Sequence, residues 1–136
     1  VVIVTTPEVS AVRDADRVIG LAETAGKPTP RLLLNRLKAD LVARGDMMDT
    51  GDVQEILQID ILGVVPEDGT IVASTNRGEP VVLQPGSRAG AAFVNVAARL
   101  EDPTVPLLSV DGVEQGFLAR LARVLRSGAG HEGGGV

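Results

Sequence analysis

Ile61-Leu62-Gly63-Val64-Val65, followed at once by Pro66-Glu67-Asp68, is the stretch on which the fold turns. Five apolar residues without alternation suit a strand covered on both faces, as in a parallel sheet. Two more such runs precede it, Val1–Thr5 and Leu32–Asn35. Between those two, Val9, Val12, Val18, Ile19 and Leu21 recur at helical spacing, predicting a helix from about Val9 to Ala25. Glu8 and Ser10 are available to cap its start, and Gly26 with Pro28 stops it. Asp52–Gln58 reads as a second helix, with Val53, Ile56 and Leu57 on one side. Strand, helix, strand, helix, strand is the rhythm of a doubly wound α/β domain with a mostly parallel sheet. After Pro66 the pattern predicts a short helix, an extended Val81–Leu83 and an Ala-rich helix from Arg88 to about Leu100.

Composition narrows the chemistry. The 136 residues fit one domain at most, and 44% hydrophobic with 23% charged residues is not a disordered composition. Two Phe and no Trp or Tyr make the core aliphatic. No Cys rules out a disulfide scaffold and thiolate chemistry, and one His leaves little for a zinc site. A formal charge of −5 argues against a general nucleic-acid binder, which needs a basic surface. No apolar run reaches the length of a spanning helix, and the start lacks the basic region of a signal peptide. The chain opens on Val1-Val2-Ile3-Val4, inside a strand pattern, which points to part of a longer chain.

In open α/β sheets, ligands sit outside the carboxyl ends of the strands. Those ends carry Thr5-Thr6-Pro7-Glu8, Asn35-Arg36 and Pro66-Glu67-Asp68. The Asn35 amide offers a donor and an acceptor together, suited to reading a base edge. Pro66 and its flanking acids could wall an adenine ring and accept from its amine. The plainer alternative stays open: Asn35 caps a loop, and Pro66-Glu67-Asp68 begins a helix whose dipole favours acids. The G-x-x-x-x-G-K-[ST] loop does not occur, so these residues cannot cradle a triphosphate or bind Mg²⁺ in the P-loop manner.

Glu101-Asp102-Pro103 and Pro106 mark a linker at 102–111, a last helix spans 112–127, and the Gly-rich 128–136 is expected to be disordered. At roughly 100° per residue, Phe117, Leu118, Leu121, Val124 and Leu125 share one arc of that helix, while Arg120, Arg123 and Arg126 lie opposite. Residues 1–111 hold 10 basic and 16 acidic side chains, net −6; residues 112–136 are net +1. A basic amphipathic helix suits an anionic membrane surface, and packing back on its own domain or on a partner is the alternative. Earlier in the chain, Arg13 and Arg17 form a like-charged i, i+4 pair while Asp14 and Asp16 are expected to point elsewhere, as ordinary solvated surface. Arg44-Gly45-Asp46 is read as a turn rather than an adhesion motif.

In their order, these segments resemble the C-terminal half of the MinD septum-site-determining ATPases, a branch of the deviant Walker A (ParA/MinD) P-loop family. The likeness rests on Thr5-Thr6-Pro7-Glu8 through Arg17, Arg44-Gly45-Asp46-Met47-Met48, Asp52–Leu57, Gly63–Asp68, Asn76-Arg77-Gly78-Glu79-Pro80-Val81 and Phe117-Leu118-Ala119-Arg120-Leu121. It implies part of a doubly wound P-loop NTPase sheet over 1–101, belonging to an ATPase that uses ATP and Mg²⁺, dimerises on ATP and docks on the inner membrane. Such a protein is cytoplasmic and peripheral on the membrane's cytoplasmic face, and has no specific nucleic-acid partner. The resemblance puts Asn35, Pro66, Glu67 and Asp68 in the adenine site and Glu8 near the nucleotide. It makes Arg13, Asp14 and Asp16 the surface for MinC-like and MinE-like partners. Phe117, Leu118, Arg120, Leu121, Arg123, Val124, Leu125 and Arg126 become the membrane contact with anionic lipids. The catalytic loop and metal ligands belong upstream, so the 136 residues alone are expected to show no ATP turnover. A ParA-like ATPase for flagellar or chromosome placement, or a non-enzymatic membrane- or partner-binding module, are the rival readings.

Overall fold

A computed structural model describes residues 1–110. Its elements run β1 (Val2–Thr5), α1 (Val9–Thr24), β2 (Arg31–Leu37), α2 (Ala39–Arg44), α3 (Thr50–Leu57), β3 (Ile61–Pro66), α4 (Gly69–Asn76), a 3₁₀ turn (Val81–Leu83) and α5 (Arg88–Glu101). The three strands form one parallel sheet in the order β1-β2-β3. The helices α1 and α3 pack together on one face, and α5 covers the other. The predicted C-terminal helix at 112–127 and tail at 128–136 lie outside the described residues, as does residue 111, the last of the predicted linker.

The core has two parts divided by the sheet. Ile3, Leu32, Leu34 and Val64 pack with Val12, Ala15 and Ile19 of α1 and with Val53 and Leu57 of α3. Val65 packs with Ala89 and Ala92 of α5, with Leu33, Ile71 and Phe93 half-buried beside them. The expectation of strands covered on both faces holds for β3, where every residue after Ile61 is buried. It fails for β1, whose burial alternates, leaving Val2 41% and Val4 58% exposed. The reason is coverage: α5 packs on β3, whereas β1 packs chiefly against β2 and α1.

Local chemistry sets the helix ends. α3 starts two residues earlier than its sequence pattern suggests, because Asp49 and Asp52 form a reciprocal capping box: each carboxylate accepts from the other's backbone N–H, at 2.8 and 3.0 Å. Glu8 occupies the N-cap of α1, but its side chain makes no capping bond there. Val9, Val18 and Leu21, expected on the apolar side of α1, are exposed, and Val12, Ala15 and Ile19 carry the packing. The unpredicted helix α2 ends at Gly45 in the left-handed conformation (φ 79°), which confirms Arg44-Gly45-Asp46 as a turn. Val81–Leu83 is a 3₁₀ turn, not extended. It has no strand to pair with, and after Pro80 its bonds close locally, Leu83 N–H to Pro80 O and Gln84 N–H to Val81 O, both 3.0 Å.

Residues 102–110 are tied to the body. Asn95 donates to Pro106 O (3.0 Å) and accepts from Leu108 N–H (3.1 Å), while Val110 is buried in the α1/α3 core.

Gly63 fixes how close α5 comes to β3, since a β-carbon there would overlap the Val96 side chain. Gly63→Ala is therefore expected to cost about 1–3 kcal/mol through overpacking. Urea unfolding of the single variant and of Gly63→Ala with Val96→Ala checks this. The second change should restore part of the loss, and a single variant as stable as wild type would contradict the close packing.

Candidate functional site

Because the strands are parallel, their carboxyl ends open on one rim. That rim gathers Thr5-Thr6-Pro7-Glu8, Asn35-Arg36-Leu37 and Pro66-Glu67-Asp68, as the sequence predicted. Pro7 and Pro66 are buried and Glu8 is exposed. The ends of β2 and β3 are joined by the Leu37–Pro66 pairing and by Glu67 N–H donating to Leu37 O at 2.9 Å.

The register of β2 shifts between Leu34 and Leu37. Arg36 sits in the left-handed region (φ 59°), an uncommon conformation for a non-glycine residue. The resulting bulge returns Leu37 to the core face already used by Leu32 and Leu34, and leaves Arg36 exposed on the rim. Two contacts hold the conformation. Asn35 Oδ1 accepts from the Arg36 backbone N–H at 2.9 Å, and Arg36 Nε donates to Glu67 Oε2 at 2.9 Å. The pair raises the guanidinium and lowers the carboxyl: a hydrogen bond to Glu67 acts first on Arg36, with Glu8 adding attraction, and the Arg36 bond acts first on Glu67. Sequence reading singled out Asn35 but gave Arg36 no role. The signal for it, a positive φ at a bulge, exists only in the backbone.

Asp68 is the N-cap of α4, as the plainer reading held. Its Oδ1 accepts from Thr70 N–H (2.9 Å) and Thr70 Oγ1 (2.7 Å), and its Oδ2 from Ser87 Oγ (2.8 Å) and Ala89 N–H (3.0 Å). Ser87 in turn caps α5, accepting from Gly90 N–H at 3.0 Å. One carboxylate thus serves the starts of two helices. The Ala89 N–H bond, then the Thr70 hydroxyl, hold its pKa far below the ordinary range. Asp68 has no lone pair left facing a ligand. Its place in the site is to fix the loop that carries Glu67.

On α1, Asp14 lines a groove with Thr5 and Thr6 at the end of β1. Arg13, Asp14 and Asp16 are exposed. Asp14 does not point elsewhere, because it accepts from Arg17 at 3.1 Å and offsets the Arg13–Arg17 repulsion. Among the described residues no group of three His, Asp or Glu side chains could hold a metal ion, and no helix is long and apolar enough to cross a membrane. The residues from Phe117 to Arg126 assigned to a membrane lie outside the described ones.

No family model matches the chain. The septum site-determining protein MinD of Bacillus subtilis is 41% identical over 121 residues, covering 88% of this chain and 45% of that protein. A MinC:MinD cell division protein complex from Aquifex aeolicus superposes with a TM-score of 0.76 at 44% identity, covering 79% of this chain and 45% of that one. MinD of Pyrococcus horikoshii, solved with Mg-ADP, superposes with a TM-score of 0.65 at 28% identity, covering 75% and 41%. The chain spans about half the length of the curated relatives it matches. In sequence over nearly all its length, and in the order and packing of its strands and helices, the chain belongs to the MinD family of septum-site-determining proteins.

Proposed function

We propose that the full-length protein is a MinD-like ATPase that helps place the division septum, and that the present residues hold the adenine of its nucleotide. The observation that carries this is the rim where Asn35, Glu67 and Pro66 adjoin at the carboxyl ends of β2 and β3. Support also comes from relatives: the Pyrococcus horikoshii MinD binds Mg-ADP, and the Aquifex aeolicus MinD assembles with MinC. The rim suits a base edge and a planar ring, not a metal ion. Bound ATP with Mg²⁺ supplies the phosphoryl group for hydrolysis, and at the nucleotide the rim of β2 and β3 contributes recognition of the base. Glu8, at the end of β1, lies on the same rim and is assigned a place near the nucleotide.

Asn35→Ala is expected to weaken ATP binding by the full-length protein about tenfold, the effect of one lost hydrogen bond of about 1.4 kcal/mol. Isothermal titration with Mg-ATP measures it. An unaltered affinity removes Asn35 from the site.

The rest of the cycle belongs to the same proposal. The protein dimerises on ATP and settles on the cytoplasmic face of the inner membrane through residues 112–127. There it recruits a MinC-like inhibitor and a MinE-like regulator through Arg13, Asp14 and Asp16. Each Arg of the last helix near an anionic surface contributes about 1 kcal/mol, so one copy binds weakly and a dimer binds well. Phe117→Glu puts a charge at the centre of the helix's apolar face. Flotation with anionic liposomes should show binding lost in that variant, and unchanged binding excludes the helix as the membrane contact.

A further inference from the structure

We infer that residues 102–110 form a rigid mount for the predicted membrane helix, and that Asn95 and Val110 position that helix on the body. The mount presupposes the membrane reading of residues 112–127 proposed above, and adds how that contact is joined to the fold. By composition, Glu101-Asp102-Pro103 and Pro106 suggest a loose tether. The described residues instead form a strap clamped at three points. Arg99 on α5 donates to Val105 O as well as to Ile61 O and Leu62 O, pinning the strap beside the start of β3. One turn earlier on α5, the Asn95 amide takes the part of a neighbouring strand. It donates to Pro106 O at 3.0 Å and accepts from Leu108 N–H at 3.1 Å. Val110 closes the path on the opposite face of the sheet, 6% exposed in the core cluster that holds Val12, Ile19, Val53 and Leu57. Pro103 and Pro106 fix two backbone angles in advance, so ordering the strap costs less entropy.

Length decides the consequence. A free chain over 102–111, ten residues, would have an r.m.s. reach of about 17 Å and let the body turn in any direction above a bilayer. With Val110 held, only residue 111 separates the core from the predicted helix, a reach of about 3.5 Å. The mount therefore sets where the helix leaves the body, on the α1/α3 face. In an ATP-bound dimer the two helices are then presented together, and their effective concentration falls roughly as the −3/2 power of linker length. A single copy has no second helix to bring down and gains nothing of this kind.

Full-length variants test the mount by flotation with vesicles of phosphatidylcholine and phosphatidylglycerol. Inserting about ten Gly/Ser residues after residue 111 leaves every contact of the strap in place. It should weaken vesicle binding of the ATP-loaded dimer by about tenfold or more, while binding of the ADP-loaded monomer stays within about twofold. Asn95→Ala should weaken dimer binding in the same direction and remove the protection of the Leu108 amide against hydrogen exchange. Asn95→Asp keeps the acceptor for that amide and should retain part of the protection. Dimer binding that is lost in Phe117→Glu yet unmoved by the insertion overturns the mount alone. An equal loss in monomer and dimer, or a Leu108 amide that exchanges freely in wild type, does the same. Binding that survives Phe117→Glu removes the membrane reading, and the mount falls with it.

Discussion

Asp68→Ala is expected to lower the stability of the fold by about 3 kcal/mol, the largest effect of any rim substitution. The carboxylate accepts two bonds from the start of α4 and two from the start of α5, so its removal uncaps one helix and loosens the other. Ser87 loses its acceptor as well, although it is buried and cannot turn freely to water. The sign of the pH dependence follows from the lowered pKa. Stability from this group is complete above the ordinary aspartate value of 3.8 and is lost as pH falls through the lower folded value. Asp68→Asn abolishes that dependence while keeping the size of the side chain. Chemical denaturation of wild type and Asp68→Asn should therefore show a stability gap that is constant near neutrality and narrows in acid. A gap independent of pH contradicts the role given to the carboxylate.

The second large effect lies at the opposite end of the sheet. Arg99 reaches from α5 to three backbone carbonyls, those of Leu62 (2.7 Å), Ile61 (3.1 Å) and Val105. Its own carbonyl accepts from Arg31 at 3.0 Å, so one residue links β2, β3, α5 and the segment that follows α5. Arg99→Met keeps most of the apolar stem and removes the fork, leaving those carbonyls without their donor. A loss of about 2–3 kcal/mol is expected. Arg99→Lys should recover only part of it, because an ammonium on a flexible stem does not reproduce a planar fork across three acceptors. Thermal unfolding of both variants checks the order wild type, Lys, Met. Equal stability of the three would mean that water replaces the guanidinium at no cost.

Most of the fold was legible because its signals are local. Continuous apolar runs gave all three strands and their parallel arrangement, and helical spacing gave α1, α3 and α5. What escaped depends on partners far away in the chain. Val2 and Val4 look as buried as Val64 and Val65 from sequence, yet which helix lies over β1 is decided by packing. Val81–Leu83 has strand-like residues and lacks a neighbouring strand. The short α2 carries too little apolar periodicity to stand out. At the site, residue types at strand ends pointed to Asn35 and Glu67. They did not reveal that Arg36 occupies a left-handed bulge between them, or that Asp68 is spent on capping. Both depend on hydrogen bonds closed by tertiary structure. Arg99 and Arg36 are surface-type residues in any sequence pattern, and only the carbonyls and carboxylate they meet give them distinct roles.

The central claim is that adenine of a nucleotide rests on the rim at the ends of β2 and β3. Titrating Mg-ATP into isotopically labelled full-length protein, with amide chemical shifts followed residue by residue, tests it most directly. The expected result is that, within the present residues, the largest shifts fall at Asn35–Lys38 and Glu67–Thr70, including the Asn35 side-chain amide, and are absent when the titrant is inorganic phosphate. Binding of ATP that leaves those resonances unmoved would contradict the claim.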